Sequence, residues 1–202
     1  EILEMFRVAA RFGAPCHVHI RGGEDQDLEE VIAAAETTGA SVHVVHFSSE
    51  EIRSARRGLE MIGKAQSRGL DVTTETYPYG ASMNRIESLF FDDWESYSES
   101  DFAKLQWVAT GERLTKESFK RYRETGGWVI NHRVPPEVVD AVAASPLTMI
   151  ASDGLIQNSK GHPRTAGTYS LFLRRYVRER KVLTLMDALR KMTLMPAQRL
   201  ER

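Results

Sequence analysis

Five side chains able to take part in acid–base or metal chemistry follow short apolar runs in this sequence: His19, Arg21, His46, His132 and Asp153. Imidazoles and a carboxylate that converge from separate strands are the ligands of a catalytic zinc ion, at ~2.0–2.2 Å and with one position left for water. A single histidine at a strand end is more often a hydrogen-bonded polar residue, so the prediction of a metal site depends on all of these residues meeting at one place.

The elements that must bring them together are strands alternating with helices. Predicted strands cover residues 14–20, 41–46, 70–76, 128–132 and 147–151. Predicted helices cover 1–12, 28–38, about 49–68, 116–124, the residues after Pro135–Pro136 up to Ala144, 169–180 and 184–192. The irregular stretch 80–114 is a long connection of the kind that often covers a site. This alternation favours a parallel sheet with right-handed crossovers, whose strands end at one edge.

Asp153 has two interpretations at this point. It follows the apolar run Leu147–Ala151, which is typical of a strand buried on both faces, and an acid in this position suits a proton acceptor or a metal ligand. Asp153–Gly154 is also common turn chemistry. The residues alone leave both interpretations open.

Composition narrows the class of protein. The chain has 202 residues, a net charge of -1, 42% hydrophobic residues and 27% charged residues. This balance argues against nucleic-acid binding, and since no apolar run approaches the roughly 18 residues of a membrane span, it favours a small-molecule partner and a cytoplasmic location. The single Cys16 suits a reducing compartment, and Gly22–Gly23 lacks the third glycine of a dinucleotide-binding loop.

Six ordered motifs resemble the N-acyl-D-amino-acid deacylases of the amidohydrolase superfamily. They are His19–Arg21, Val45–Phe47, Asp71–Thr73 leading into Tyr77–Tyr79, Ser152–Gly154, His162–Arg164 through Gly167–Tyr169, and Lys191–Thr193 through Pro196–Leu200. Their order along nearly the whole chain makes the resemblance specific, whereas any single motif would be weak.

The resemblance implies a metal-dependent barrel, carried beside a small β-sandwich, that hydrolyses the acyl amide of D-amino acids. It implies that His46 binds zinc after the fifth barrel strand and that Asp153, after the eighth strand, is the base and contacts the metal. It further implies that Arg164 binds the substrate carboxylate, for which a guanidinium fork is suited. His19 is a further candidate ligand, and Arg21, Tyr79 and His132 are candidates for substrate binding.

Two departures from the family pattern accompany this interpretation. The His-x-His pair of the first strand is absent, because only four predicted strands follow His17–His19, which we therefore place on strand four. The stretch Thr73–Glu75 stands where a second metal histidine is expected on strand six. We therefore expect strands four to eight of a barrel, completed by an upstream segment or an oligomer partner, with one or two zinc ions per full-length chain; the alternative is an open five-stranded parallel α/β sheet.

Three functions follow from these expectations. The first is hydrolysis of linear amides, with N-acyl-D-amino acids as substrates. The second is hydrolysis of cyclic amides of the dihydroorotase or hydantoinase kind, which uses the same metal and acid chemistry. The third is a catalytically inactive relative that only binds a ligand or partner.

Overall fold

The structure is a computed structural model that describes residues 2–21, 25–50 and 55–200. The predicted turn at Gly22–Gly23 and the stretch 51–54 of the predicted third helix lie outside the described residues. Among the helices that the structure describes, none combines the length and apolar character needed to cross a lipid bilayer.

The secondary structure alternates as predicted in the first third of the chain and becomes more complex later. The strands are β1 Cys16–Val18, β2 Val42–Val44, β3 Val72–Thr76, β4 Ser82–Arg85, β5 Leu105–Trp107, β6 Trp128–Asn131, β7 Thr148–Ile150, β8 Ile156–Gln157 and β9 Lys160–Gly161. The helices are α1 Ile2–Phe12, α2 Asp25–Thr38, α3 Phe47–Glu50, α4 Ala55–Ser67, α5 Glu99–Phe102, α6 Lys116–Thr125, α7 Pro136–Ala144, α8 Arg164–Phe172, α9 Leu185–Met192 and α10 Leu194–Leu200. Short 3₁₀ turns lie at Leu89–Phe91 and Trp94–Ser96, and a π-helix, Leu173–Glu179, continues α8.

A parallel sheet in the order β1-β2-β3-β7 forms the centre of the described part of the chain. One face carries β-branched residues such as Val42, Val44 and Val72, which are fully buried in the main hydrophobic cluster together with residues of α2 and α4. The pairing places His17 beside His43, and His43 beside Thr73, on the other face. The sheet is therefore apolar toward its helices and polar on the opposite side.

The prediction that 128–132 is a fourth strand of the parallel sheet is wrong. These residues form β6, the central strand of a separate antiparallel sheet with the order β4-β6-β5. The parallel sheet therefore has four strands among the described residues rather than five, and this corrects both the barrel strands four to eight and the open five-stranded alternative. The described part is a mixed α/β fold with a parallel sheet and no closed barrel.

The predicted connection 80–114 supplies two of the strands of this second sheet. It contains β4 and β5 as well as the expected short helices. The second sheet has its own hydrophobic cluster, whose buried members are Ile86, Phe91, Phe102, Leu105, Trp107, Leu114, Phe119 and Val129. Its two ends meet where Val134 N donates to Gly80 O at 3.1 Å, so the whole insertion leaves and rejoins the parallel core at one point.

We expect Gly80→Ala to destabilise the protein at this junction. A Cβ at position 80 would lie 2.6 Å from the backbone oxygen of Val134, so the two ends of the insertion must separate. Overpacking of this kind costs about 1–3 kcal/mol in the free energy of unfolding, measured by urea denaturation. Gly63→Ala is the control, because its Cβ meets only the end of the Leu147 side chain at 3.4 Å; equal stability of the two variants would contradict the prediction.

Candidate active site

A cavity of about 420 Å³ lies at the carboxyl ends of the parallel strands. Its lining residues are His19, His46, Ser49, Tyr77, Ser82, Met83, Asn84, Trp128, Asp153, Gly154, Leu155 and Arg164. Four residues predicted from the sequence to take part in chemistry, His19, His46, Asp153 and Arg164, meet here. The second sheet supplies part of the wall through residues of β4, which lies within the stretch 80–114, and through Trp128.

His46 is held in a left-handed backbone conformation, with φ of 36°, directly after β2. Its N–H donates to Glu75 Oε1 at 2.7 Å, and its carbonyl oxygen accepts from Ser49 N at 2.9 Å and from Ser49 Oγ at 2.8 Å. Ser49 Oγ also lies 3.2 Å from His46 Nδ1. Because a non-glycine residue in this conformation is strained, these contacts are what keep the imidazole at the edge of the sheet.

The His19 and His46 rings approach each other edge to face. His19 Nδ1 lies 3.0 Å from His46 Nε2, and the ring centroids are 4.6 Å apart. Two nitrogens bound to one tetrahedral zinc ion at ~2.0–2.1 Å lie about 3.3 Å apart, so this pair fits two positions of such a site. Within the described ranges no three His, Cys, Asp or Glu side chains form a group that could hold a metal ion, so these two side chains do not by themselves make a metal site.

Glu75 is a buried acid that the sequence analysis treated only as part of a strand. It is 7% exposed, and burial raises the pKa of its carboxyl group. Oε2 makes no hydrogen bond to the described residues, while Oε1 accepts from His46 N. A carboxylate next to the end of a β-branched strand was the available sequence signal for this role.

Asp153 and Arg164 form an ion pair at the other side of the cavity. Arg164 Nη2 donates to Asp153 Oδ2 at 2.8 Å; the arginine side chain is 4% exposed and the aspartate side chain 41% exposed. The guanidinium carbon lies 4.4 Å from the centroid of the Tyr77 ring. Asp153 has φ of 45° and lines the cavity, and its role as an acid or a metal ligand stays a prediction.

Three of the five donor N–H groups of Arg164, one on Nε and two on Nη1, have no partner among the described residues. The buried atoms Nε and Nη1 make no hydrogen bond. An unpaired buried polar group costs about 1–3 kcal/mol, and more when it is charged, so such donors are normally satisfied. An anionic ligand group in the cavity would satisfy them.

Three predicted substrate-binding residues lie outside this cavity. Arg21 is exposed at the surface and pairs with Asp27 and Glu30 of α2. Tyr79 and His132 line a neighbouring cavity of about 440 Å³, where His132 Nε2 lies 3.0 Å from Gln106 Oε1. The geometry of the described residues thus separates these three from Asp153 and Arg164.

Similar proteins are found along almost the whole chain. No family model matches the sequence. The chain is 27% identical to an N-acyl-D-glutamate deacylase of Alcaligenes xylosoxydans xylosoxydans, over 98% of the chain and 43% of the relative, and 28% identical to a D-aminoacylase of the same organism, over 98% and 44%. A dihydroorotase of Syntrophobacter fumaroxidans is 33% identical over 72 residues, which are 36% of this chain and 15% of the relative.

Solved structures show the same fold. The crystal structure of N-acyl-D-glutamate deacylase from Bordetella bronchiseptica, complexed with zinc and a phosphonate inhibitor, superposes with a TM-score of 0.83 at 26% identity over 99% of this chain and 45% of that one. A crystal structure of D-aminoacylase, described as defining a subset of amidohydrolases, superposes with a TM-score of 0.78 at 22% identity. The match covers 99% of this chain and 45% of that one.

The chain therefore has the fold of the solved N-acyl-D-glutamate deacylase and D-aminoacylase over almost its whole length. Its sequence is similar, over the same length, to a C-terminal part of the N-acyl-D-amino-acid deacylases. It spans less than half the length of the curated deacylases that it matches.

The buried histidines near the site make a testable contribution to acid stability. Burial lowers the pKa of His162 to about 3, with Arg164 acting in the same direction, and burial lowers the pKa of His43 to about 3 as well. Between pH 6.5 and about 3 the unfolded chain therefore binds protons that the folded protein does not. The free energy of unfolding should fall by about 1.4 kcal/mol per pH unit for each histidine as the pH decreases through this range.

His162→Asn should remove one of these two contributions, so the free energy of unfolding should change less with pH, by ~1 kcal/mol per pH unit. The measurement is urea unfolding between pH 4 and pH 7. His43→Asn is the matched variant and should reduce the change with pH by a similar amount. If His162→Asn unfolds with the wild-type slope, the histidine is not held neutral in the folded protein.

Proposed function

We propose that this chain forms part of the active site of a metal-dependent hydrolase of linear amides, with N-acyl-D-amino acids as substrates. The observation that carries the proposal is the single cavity that contains the His19–His46 pair, Asp153 and the unpaired donors of Arg164. Relatives along almost the whole chain are deacylases of this kind, and the solved relative from Bordetella bronchiseptica was complexed with zinc and a mimic of the tetrahedral intermediate.

The corrected strand count supports the assignment of the two histidines. If β7 is the eighth barrel strand, as the resemblance implies, β3, β2 and β1 become the seventh, sixth and fifth strands. His19 and His46 then follow the fifth and sixth strands, where the family pattern has its two metal histidines. The apparent departure at Thr73–Glu75 arose because 128–132 had been counted as a parallel strand.

In this proposal His19 and His46 are two of the zinc ligands, and Asp153 lines the same cavity. A bound zinc ion supplies Lewis-acid chemistry and lowers the pKa of water toward ~7. Asp153 accepts the proton of the attacking water and later donates it to the leaving amine, which is general acid–base catalysis by one group. Glu75 and Ser49 hold His46 in place from the backbone side.

Arg164 binds the α-carboxylate of the substrate. Its guanidinium is paired with Asp153 through Nη2 and lies over the Tyr77 ring, and the buried Nε and Nη1 have no hydrogen-bond partner among the described residues. Charge-assisted hydrogen bonds from guanidinium N–H groups to a carboxylate are strong and directional. This orients the amide relative to Asp153.

The runner-up activity is hydrolysis of a cyclic amide. The dihydroorotase match over 72 residues favours it, because both reactions need an acid–base carboxylate and a metal. A panel of N-acetyl-D-amino acids, their L-forms, hydantoins and dihydroorotate, assayed with the full-length protein, decides between the two. Hydrolysis of the D-forms alone supports the proposal, hydrolysis of cyclic amides alone replaces it, and no hydrolysis of any of them even with added zinc favours the inactive relative.

Asp153→Asn should reduce turnover by at least ~10²-fold, because the amide cannot accept the proton. The fold and most of the zinc content should remain, since the substitution preserves size. The measurement is kcat on the best N-acetyl-D-amino acid. The control is Asp92→Asn, which changes an exposed acid that pairs with Arg123 of α6. Near-wild-type turnover of Asp153→Asn would remove the residue from the mechanism.

Arg164→Lys should raise KM for free-acid substrates by about tenfold or more while leaving N-acetyl-D-amino amides little changed. The lysine keeps the charge but loses the fork. The two KM values are compared for each protein, with Arg57→Lys as the control because Arg57 pairs with Asp25 at the surface. An equal change in both KM values would show that Arg164 does not recognise the carboxylate.

A further inference from the structure

Two residues of the family-like motifs meet at the end of the parallel sheet opposite the candidate active site. Asp71 directly precedes β3, and Arg199 lies in α10. They are more than a hundred positions apart in the sequence, yet Arg199 Nη1 lies 2.9 Å from Asp71 Oδ1. Neither residue lines the candidate active-site cavity, so the proposed function does not explain this contact.

Asp71 connects the starts of β2 and β3. Its carbonyl oxygen accepts from Val42 N at 2.8 Å, and its Oδ2 accepts from Ser41 Oγ at 2.6 Å. Oδ1 is the carboxylate oxygen that pairs with Arg199. The ion pair therefore attaches α10 to two neighbouring strands at the edge where they begin.

Arg199 is the residue through which α10 docks on the sheet. The helix has seven residues, all of which the structure describes, and Arg199 is the one that is buried. Its side chain is 3% exposed, and that of Asp71 is 27% exposed. A buried charge is strongly unfavourable without a partner, and removing one member of a buried ion pair is strongly destabilising. The docked position of α10 thus depends on a charge pair and not on an apolar stripe.

A second buried cation of the same region holds the preceding helix. Lys191, in α9, is 2% exposed, and its Nζ donates to the carbonyl oxygen of Ser145, the residue that ends α7. A positive charge at the carboxyl end of a helix is favoured by the helix dipole. α9 therefore has its own attachment and does not need the Arg199 contact to stay in place.

α10 covers a cavity of about 260 Å³ on the polar face of the sheet. Pro196, Arg199 and Leu200 line it on the helix side. His43 and Glu75 line it on the strand side, and they are 5% and 7% exposed. Movement of α10 away from the sheet would open this cavity to water.

We propose that Arg199 and Asp71 form a latch that holds α10 over this cavity, and that the latch opens locally while the rest of the protein stays folded. A segment with few buried apolar side chains opens at a lower free energy than the core, and α10 is such a segment. The proposal goes beyond the proposed function and does not depend on it, because it concerns the movement of α10 and not catalysis.

The first test is amide hydrogen exchange of the full-length protein, followed for residues 197–200 of α10. Arg199→Met should raise their opening constant about hundredfold, because the helix loses its buried contact with the sheet. Asp71→Asn should have a similar effect in the wild type but less than about threefold in the Arg199→Met background, since the partner is already gone. Arg57→Met, which removes a surface pair with Asp25, is the matched control and should leave exchange in α10 unchanged.

The wild-type protein decides whether the opening is local. The opening constant of α10 should be at least about tenfold larger than that of α4 and should depend little on urea, because little surface becomes exposed. Equal opening constants in α10 and α4 would mean that α10 opens only by global unfolding, which overturns the proposal. If Arg199→Met does not fold, Arg199→Lys keeps the charge without the guanidinium and should raise the α10 constant about tenfold; no rise overturns the proposal as well.

The second test measures exposure of the cavity. Diethyl pyrocarbonate modifies accessible imidazoles, and mass spectrometry gives the rate at His43 relative to the exposed His132. This ratio should rise at least about tenfold in Arg199→Met and stay at the wild-type value in Arg57→Met. An unchanged ratio in Arg199→Met would show that the latch does not close the cavity, and the proposal would fail.

Discussion

Parallel pairing of β1, β2, β3 and β7 in one order is the constraint on which the rest of the site depends. Each strand ends at the same edge, so residues separated by more than a hundred positions in the sequence become neighbours there. The pairing brings His19 to 3.0 Å from His46 and places Glu75 against the backbone of His46. The sheet thereby sets the geometry of the cavity before any loop contributes to it.

The sequence was a good guide to the part of the site that this sheet determines. His46 and Asp153 follow short apolar runs, and the period of these runs was sufficient to place both residues at strand ends. The run 128–132 has the same apolar character, but it pairs antiparallel with β4 and β5. A short apolar run indicates burial and not the identity of its partner strand, so His132 was grouped with the parallel sheet although it follows β6 of the second sheet.

Burial of charge explains why the site is held by so many polar contacts. The side chain of Arg164 is 4% exposed and Glu75 is 7% exposed, and an isolated buried charge is strongly unfavourable without partners. Asp153, the Tyr77 ring and the backbone of His46 provide some of those partners. The contact between Glu75 and His46 links residues 29 positions apart, and for this reason the sequence did not reveal what Glu75 holds.

The proposed metal-dependent hydrolysis depends most directly on His19 and His46 acting together as metal ligands. Zinc content, measured by plasma mass spectrometry on the full-length protein and on its His19→Asn/His46→Asn double variant, tests this claim. The account predicts about one equivalent or more in the wild type and a large loss in the variant, with the circular dichroism spectrum retained. Wild-type zinc in the double variant, or no zinc uptake by the wild type from a buffered zinc solution, would contradict it.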